Sequence, residues 1–209
     1  MRERKMEILL QFVKKTRVPV FRASVLLIAF LLLFSGYSWE RSITADLVLE
    51  LTGFVLLLGC GFGRLWVNIY IRGKKSHTLV TFGPYSVCRN PLYLFSLMGA
   101  IGGCLAAKNL LVLVLILFLF LVYYTLVIVA EERKLRKVFQ ESYDEYVKRV
   151  PRFLPRLSLY HDSETLIVKP RYFYLCVLSA MWFPLAFIIL RVIQLLQEAG
   201  VLPVLFRVP

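Results

Sequence analysis

Acidic residues are scarce in this chain: 13 Asp and Glu stand against 26 Lys and Arg over 209 residues, a formal net charge of +13. Such an excess would suit nucleic acid, but the basic residues occur in blocks beside apolar runs. That is the loop pattern of a membrane protein, and it argues against a nucleic-acid partner. Cysteine is thin as well. Cys60, Cys88, Cys104 and Cys176 are scattered, with no CxxC and no Cys/His pairing, so they read as small apolar fillers and predict neither disulfides nor a metal site. No short apolar core with a small-residue cleavage site opens the chain, so no cleavable signal peptide is expected. Internal repeats and low-complexity tracts are missing. So is the inverted pair of broken hydrophobic segments that a small transporter would carry.

What the chain has in quantity is hydrophobic residue. The share is 59% and the mean hydropathy is +0.70, where a soluble domain averages roughly 45–50% apolar. The composition predicts an all-α integral membrane protein, a single membrane-embedded domain over 1–209. About five helices are long enough to cross a bilayer, at 18–39, 43–71, 91–107, 110–130 and 171–195. Tyr37 and Trp39 close the first as interfacial anchors, and Gly53, Gly59, Gly61 and Gly63 give the second a face that another helix can approach closely. Gly59-x-Gly61-x-Gly63 lies inside an apolar helix, not between strand and helix, so it is no nucleotide fingerprint. Met6, Leu9, Leu10 and Val13 share one helix face over 1–17, with Lys5, Lys14 and Lys15 free to meet lipid head groups. A soluble helix over 131–149, ended by Pro151 and Pro155, separates spans four and five.

Orientation follows from the basic blocks. Arg2, Arg4, Lys5, Lys14, Lys15 and Arg17 precede the first span, Arg72, Lys74, Lys75 and Arg89 lie in the 72–90 connector, and 131–171 is more basic still. The opposite side has Arg41, Lys108 and Arg207. The positive-inside bias therefore predicts a cytoplasmic N-terminus, connector and charged helix, with the C-terminus on the other side.

The chemistry is concentrated in two stretches that this topology puts at one membrane edge. The first runs through His77, Thr78, Leu79, Val80, Gly83, Pro84 and Tyr85 to Arg89, Asn90, Pro91, Leu92 and Tyr93. The second begins with Glu131 and Glu132 at the end of the fourth span and continues through Leu135, Phe139, Tyr143 and Tyr146 to Val150 and Pro151. Individually these could be a turn, a helix start, a snorkelling Arg and a first wet helical turn. Together they place ionisable and aromatic groups at one depth, which marks a functional site.

These two motifs, in this order, resemble the signature of the isoprenylcysteine carboxyl methyltransferases and their phospholipid methyltransferase relatives, over about 64–156. The resemblance implies a pocket for S-adenosyl-L-methionine between the ends of the membrane helices and the cytoplasmic segment, without a Rossmann domain. It assigns cofactor contact to His77, Thr78, Leu79, Val80, Tyr85, Asn90, Pro91, Leu92, Tyr93 and Glu131, and leaves Arg89 and Glu132 as candidates for the catalytic, acceptor-facing groups. The implied acceptor is a lipid or lipidated molecule entering from the bilayer.

Three departures bear on the acceptor. Asn90 stands where most members have His, Tyr70 where the isoprenylcysteine enzymes have Gln, and Val127 where those enzymes hold the prenylcysteine carboxylate with Arg. Methyl transfer to a different membrane acceptor is therefore the expected activity. Isoprenylcysteine carboxyl methylation, a small thiol or amine acceptor, and a non-enzymatic protein that retains the fold are the alternatives.

Overall fold

The computed structural model describes residues 19–20, 22–37, 42–72 and 78–208. The amphipathic segment 1–17, the side chain of Tyr37, Trp39, Arg41, Lys74, Lys75 and His77 lie outside these described residues.

The described chain is mostly helical. Helix α1 (Arg22–Phe34) is short and apolar. Helix α2 (Ile43–Ile71) is capped by Ser42, whose side chain accepts from the Ala45 N–H, and it has the boundaries expected from sequence. A single turn, α3 (Pro84–Val87), leads to α4 (Pro91–Ala106), which begins at its proline as the missing N–H requires. Helix α5 (Leu110–Arg149) is capped by the Asn109 side chain on the Val112 N–H, and α6 (Pro170–Glu198) follows. Three helices, α2, α5 and α6, are long and apolar enough to cross a membrane, and α1 and α4 are shorter apolar helices.

Helices α2 and α4 pack antiparallel through small residues. A Cβ on Gly53 would sit 2.6 Å from the Gly102 carbonyl oxygen, and one on Gly63 would fall within the Phe95 ring. Close approach of this kind replaces the hydrophobic drive that lipid does not supply. Helix α6 closes the other side of α2 with Phe54 and Phe187 rings 4.7 Å apart, and a Cβ on Gly61 would sit 3.2 Å from the Ala180 carbonyl oxygen.

Three expectations need correction. The fold is not purely α-helical. Ser35–Tyr37 (β1) pairs in parallel with Phe206–Val208 (β2), so the first helix stops at Phe34 and its chain instead hydrogen-bonds the C-terminal segment. The first part of the predicted separate helix over 131–149, up to Gln140, is continuous with the fourth hydrophobic helix. The charged half carries the helix on because good helix formers follow Glu131 without a breaker. The third correction is Gln140, whose φ of 44° and ψ of −117° break the helical path inside α5. Arg136 Nε donates to Asp144 Oδ1 at 2.6 Å across this break, and Tyr143, Tyr146 and Val150 beyond it form a buried cluster with Leu79 and Phe139.

At the far end from the motif residues, Lys108 sits in the turn between α4 and α5. It is buried between α4 and α5 and pairs with Asp46 at 3.1 Å and Glu50 at 2.9 Å, while Arg191 of α6 reaches Glu50 at 2.6 Å. Three helical elements are thereby tied together through charges that neutralise one another, which is how such groups are tolerated at this depth.

Candidate active site

The connector between α2 and α4 is held in place by the segment after Pro151. Arg89 N–H donates to the Pro151 carbonyl at 2.9 Å, Arg156 N–H to Val87 at 3.0 Å, and Gly83 N–H to His161 at 2.8 Å. Gly83 takes φ 61° with the Tyr70 ring packed where a Cβ would stand, so the turn requires glycine for two separate reasons. The Tyr70 hydroxyl donates to Asp162 Oδ2 at 2.5 Å. This bond and weaker ones from Ser163 N–H and the Tyr160 hydroxyl hold the Asp162 carboxyl below its usual range. Tyr70, one of the departures from the family pattern, thus works as a clasp on the loop and does not line the site.

Above this clasp the two motifs enclose a cavity of about 420 Å³. Thr78, Leu79, Val80 and Tyr85 line it from the connector, and Arg89, Asn90, Pro91, Leu92 and Tyr93 from the start of α4. Glu131 and Glu132 face it from α5, so every predicted site residue other than His77 (outside the described residues) borders one space. Beyond the Gln140 break, Tyr143 and Tyr146 complete the wall, the latter with its hydroxyl donating to the Tyr85 carbonyl at 2.8 Å.

The polar groups fall into two sets. In the first, the Tyr93 hydroxyl donates to Glu131 Oε2 at 2.9 Å, and Tyr93 meets Tyr124 edge-on with ring centroids 5.9 Å apart. Tyr124 ends a π-helical stretch, Phe120–Tyr124, a local widening of the helix that often accompanies a functional site. Burial, reinforced by the Glu131 charge, pushes the Tyr85 phenol far above its usual pKa, so that this ring stays neutral.

The second set is centred on Glu132, which is nearly buried. Arg152 approaches it with two donors, Nη2 to Oε2 at 2.6 Å and Nε to Oε1 at 3.2 Å. Arg89 Nη1 lies 3.3 Å from Oε1, and Asn90 Nδ2 donates to the same oxygen at 3.1 Å. Two guanidiniums share one carboxylate, so this corner carries a surplus positive charge, and the buried Arg89 Nε has no hydrogen-bond partner. Arg152 was missed by sequence reasoning. Its signal was its place one residue past Val150-Pro151, the end of the second motif.

The donor set suits S-adenosyl-L-methionine. The cavity falls within the roughly 300–1,000 Å³ typical of ligand sites, and a carboxylate beside neutral aromatic faces is appropriate for a ligand that carries an ammonium and a sulfonium. The cavity is carried by a fold with three helices long and apolar enough to cross a membrane. The chain belongs to the isoprenylcysteine carboxyl methyltransferase and phospholipid methyltransferase family. The phospholipid methyltransferase family model matches residues 61–142.

Among individual relatives, the chain is 36% identical to the cobalt-zinc-cadmium resistance protein CzcN of Cupriavidus metallidurans, covering 91% of this chain and 88% of that protein. It is 32% identical to the nickel-cobalt-cadmium resistance protein NccN of Alcaligenes xylosoxydans xylosoxydans, over 95% of this chain and 92% of that protein. It is also 40% identical to the protein-S-isoprenylcysteine O-methyltransferase of Xenopus laevis, over 48% of this chain and 34% of that protein. No solved structure matches the chain.

Proposed function

We propose that this protein transfers a methyl group from S-adenosyl-L-methionine to a lipid or lipidated acceptor that enters from the bilayer. The observation that carries the reading is the convergence of two motifs on a single cavity, with Asn90 and Glu132, 42 residues apart in sequence, joined by a hydrogen bond. S-adenosyl-L-methionine, when bound, supplies an electrophilic methyl group on a sulfonium. Tyr85 and Tyr93 offer neutral aromatic faces to that cation, an attraction of about 1–2 kcal/mol where water is excluded. Glu131 pairs with the cofactor's ammonium, and the backbone from Val80 to Gly83 serves the adenine edge. Arg89 orients the acceptor. Glu132 acts through the groups it holds: with Arg152 it fixes the Arg89 guanidinium and the Asn90 amide. The rate then comes chiefly from positioning and exclusion of water, because a carboxylate, phosphate or neutral amine is already nucleophilic.

Calorimetry with the detergent-purified protein tests the cofactor half of this reading. Micromolar binding of S-adenosyl-L-methionine is expected, and its absence would favour a non-enzymatic protein on the same fold. The relatives named for metal resistance keep that second reading in view. Among the described residues no group of three or more His, Cys, Asp or Glu is arranged to hold a metal ion.

Orientation gives a separate prediction. The basic blocks put the N-terminus and the cavity on the cytoplasmic side and the C-terminus opposite. The four native cysteines are all buried, so an impermeant maleimide applied to intact cells should label Leu205→Cys and spare Ser76→Cys. The reverse pattern would part the cavity from its cytosolic cofactor.

A further inference from the structure

Arg64 is a charge between the helices that the site described so far does not use. It lies inside α2, seven residues before Ile71, about 10 Å along the helix from an end that borders the cavity. Its guanidinium does not run up the helix toward water. Nη1 donates to the Ser96 hydroxyl on α4, and the group sits 5.7 Å from the Phe183 ring on α6, a residue roughly 20 Å along that helix from its start. Nε is buried with no hydrogen-bond partner. Among the described residues no carboxylate pairs with Arg64. Lys108 and Arg191, by contrast, both have carboxylate partners.

An unpaired guanidinium among membrane helices is costly, and a cation–π contact with one ring offsets only part of that cost. The position says what would offset the rest. Ser96 donates to the Leu92 carbonyl at 2.7 Å, and Leu92 and Tyr93 both border the cavity. Arg64 and Ser96 therefore sit one turn of α4 on the bilayer side of the cavity. The family's carboxylate-holding Arg has no counterpart at Val127, which is buried and apolar.

We propose that Arg64 and Ser96 form an anion subsite that takes the phosphate or carboxylate of the amphipathic acceptor. The acceptor's nucleophile then extends into the cavity and its chains remain in the bilayer. This rests on the methyltransferase reading for the role of the subsite, but not for its existence. A phosphate on a lipid and a free phosphate share the recognised chemistry.

The test uses the full-length protein and two acyl-matched probes that differ only in the phosphate: dioleoyl phosphatidic acid and dioleoylglycerol. Native mass spectrometry of the wild type should show preferential retention of phosphatidic acid. Arg64→Gln should lower that preference by about tenfold or more, while S-adenosyl-L-methionine affinity changes less than about twofold. Arg64→Lys should recover part of it. Ser96→Ala, which keeps the charge and loses its hydrogen-bond partner, should weaken it by about threefold, and serves if the Gln variant does not fold. Inorganic phosphate that displaces phosphatidic acid at low millimolar concentration would identify a soluble anion as the ligand. Failure to displace it assigns the subsite to a lipid. No preference in the wild type, or the same preference in Arg64→Gln and Ser96→Ala, overturns the proposal. Phosphatidic acid preference without any S-adenosyl-L-methionine binding would keep the subsite and remove the methyltransferase reading.

Discussion

Replacing Glu131 with Gln, or Tyr93 with Ala, should weaken S-adenosyl-L-methionine binding by roughly tenfold or more, as loss of a desolvated charge pair or of an aromatic wall implies. The two side chains are joined by the 2.9 Å hydrogen bond from the Tyr93 hydroxyl to Glu131, so their losses should not add. Tyr93→Phe separates the contributions. It keeps the ring and removes the donor, and it should retain more affinity than Tyr93→Ala. Calorimetry that finds wild-type affinity in Glu131→Gln and Tyr93→Ala would place the cofactor elsewhere. Cys88→Ala is the control. Its thiol is turned away from the cavity toward the Arg152 and Phe153 carbonyls, at 3.4 and 3.2 Å, and the cofactor affinity should not change.

The second large effect is expected at Glu132. Truncation to Ala would leave Arg89 and Arg152 side by side with no shared anion, and would release Asn90 as well. Removing one partner of a buried pair destabilises by about 3–5 kcal/mol, and the half-exposed Arg152 brings the expectation down to about 2–3 kcal/mol. Thermal unfolding in detergent should show a clear drop in midpoint for Glu132→Ala and a smaller one for Glu132→Gln. Arg152→Ala should fall between wild type and Glu132→Ala, because Arg89 and Asn90 still satisfy the carboxylate. An unchanged midpoint for Glu132→Ala would show that the cluster does not hold the connector and α5 together.

How much of this was legible in the sequence depended on the range over which the residues interact. The run from Thr78 to Tyr93 is nearly continuous and punctuated by Gly83, Pro84 and Pro91, so its turn and helix start follow from local backbone chemistry. The boundaries of α2 were equally plain because an apolar run is bracketed by Ser42 and Arg72. Glu131 was found because a charge ends a hydrophobic span. By contrast, the bidentate grip of Arg152 on Glu132 joins residues twenty apart on either side of the Gln140 break. No periodicity reports such a contact. The break itself falls on Gln, which is a good helix former and carries no stop signal. The pairing of Ser35–Tyr37 with Phe206–Val208 joins opposite ends of the chain through three residues each, too short for an alternation pattern to register. Arg64 was visible as a letter, but that no carboxylate among the described residues pairs with it became apparent only once the helices were packed.

Val127 bears most directly on which acceptor is used. It is buried, 4% exposed, one turn before Glu131, and cannot hold a carboxylate at the place where the resemblance expects Arg. A desolvated carboxylate acceptor without a cation beside it is costly. The decisive measurement is a tritiated-methyl transfer assay with the purified protein in native membrane lipid, with a farnesylcysteine analogue and the lipid fraction counted side by side. Saturable label in the lipid fraction, with little or none in the farnesylcysteine analogue, is the predicted result. Efficient labelling of the analogue with none in the lipid would contradict it and return the protein to isoprenylcysteine carboxyl methylation.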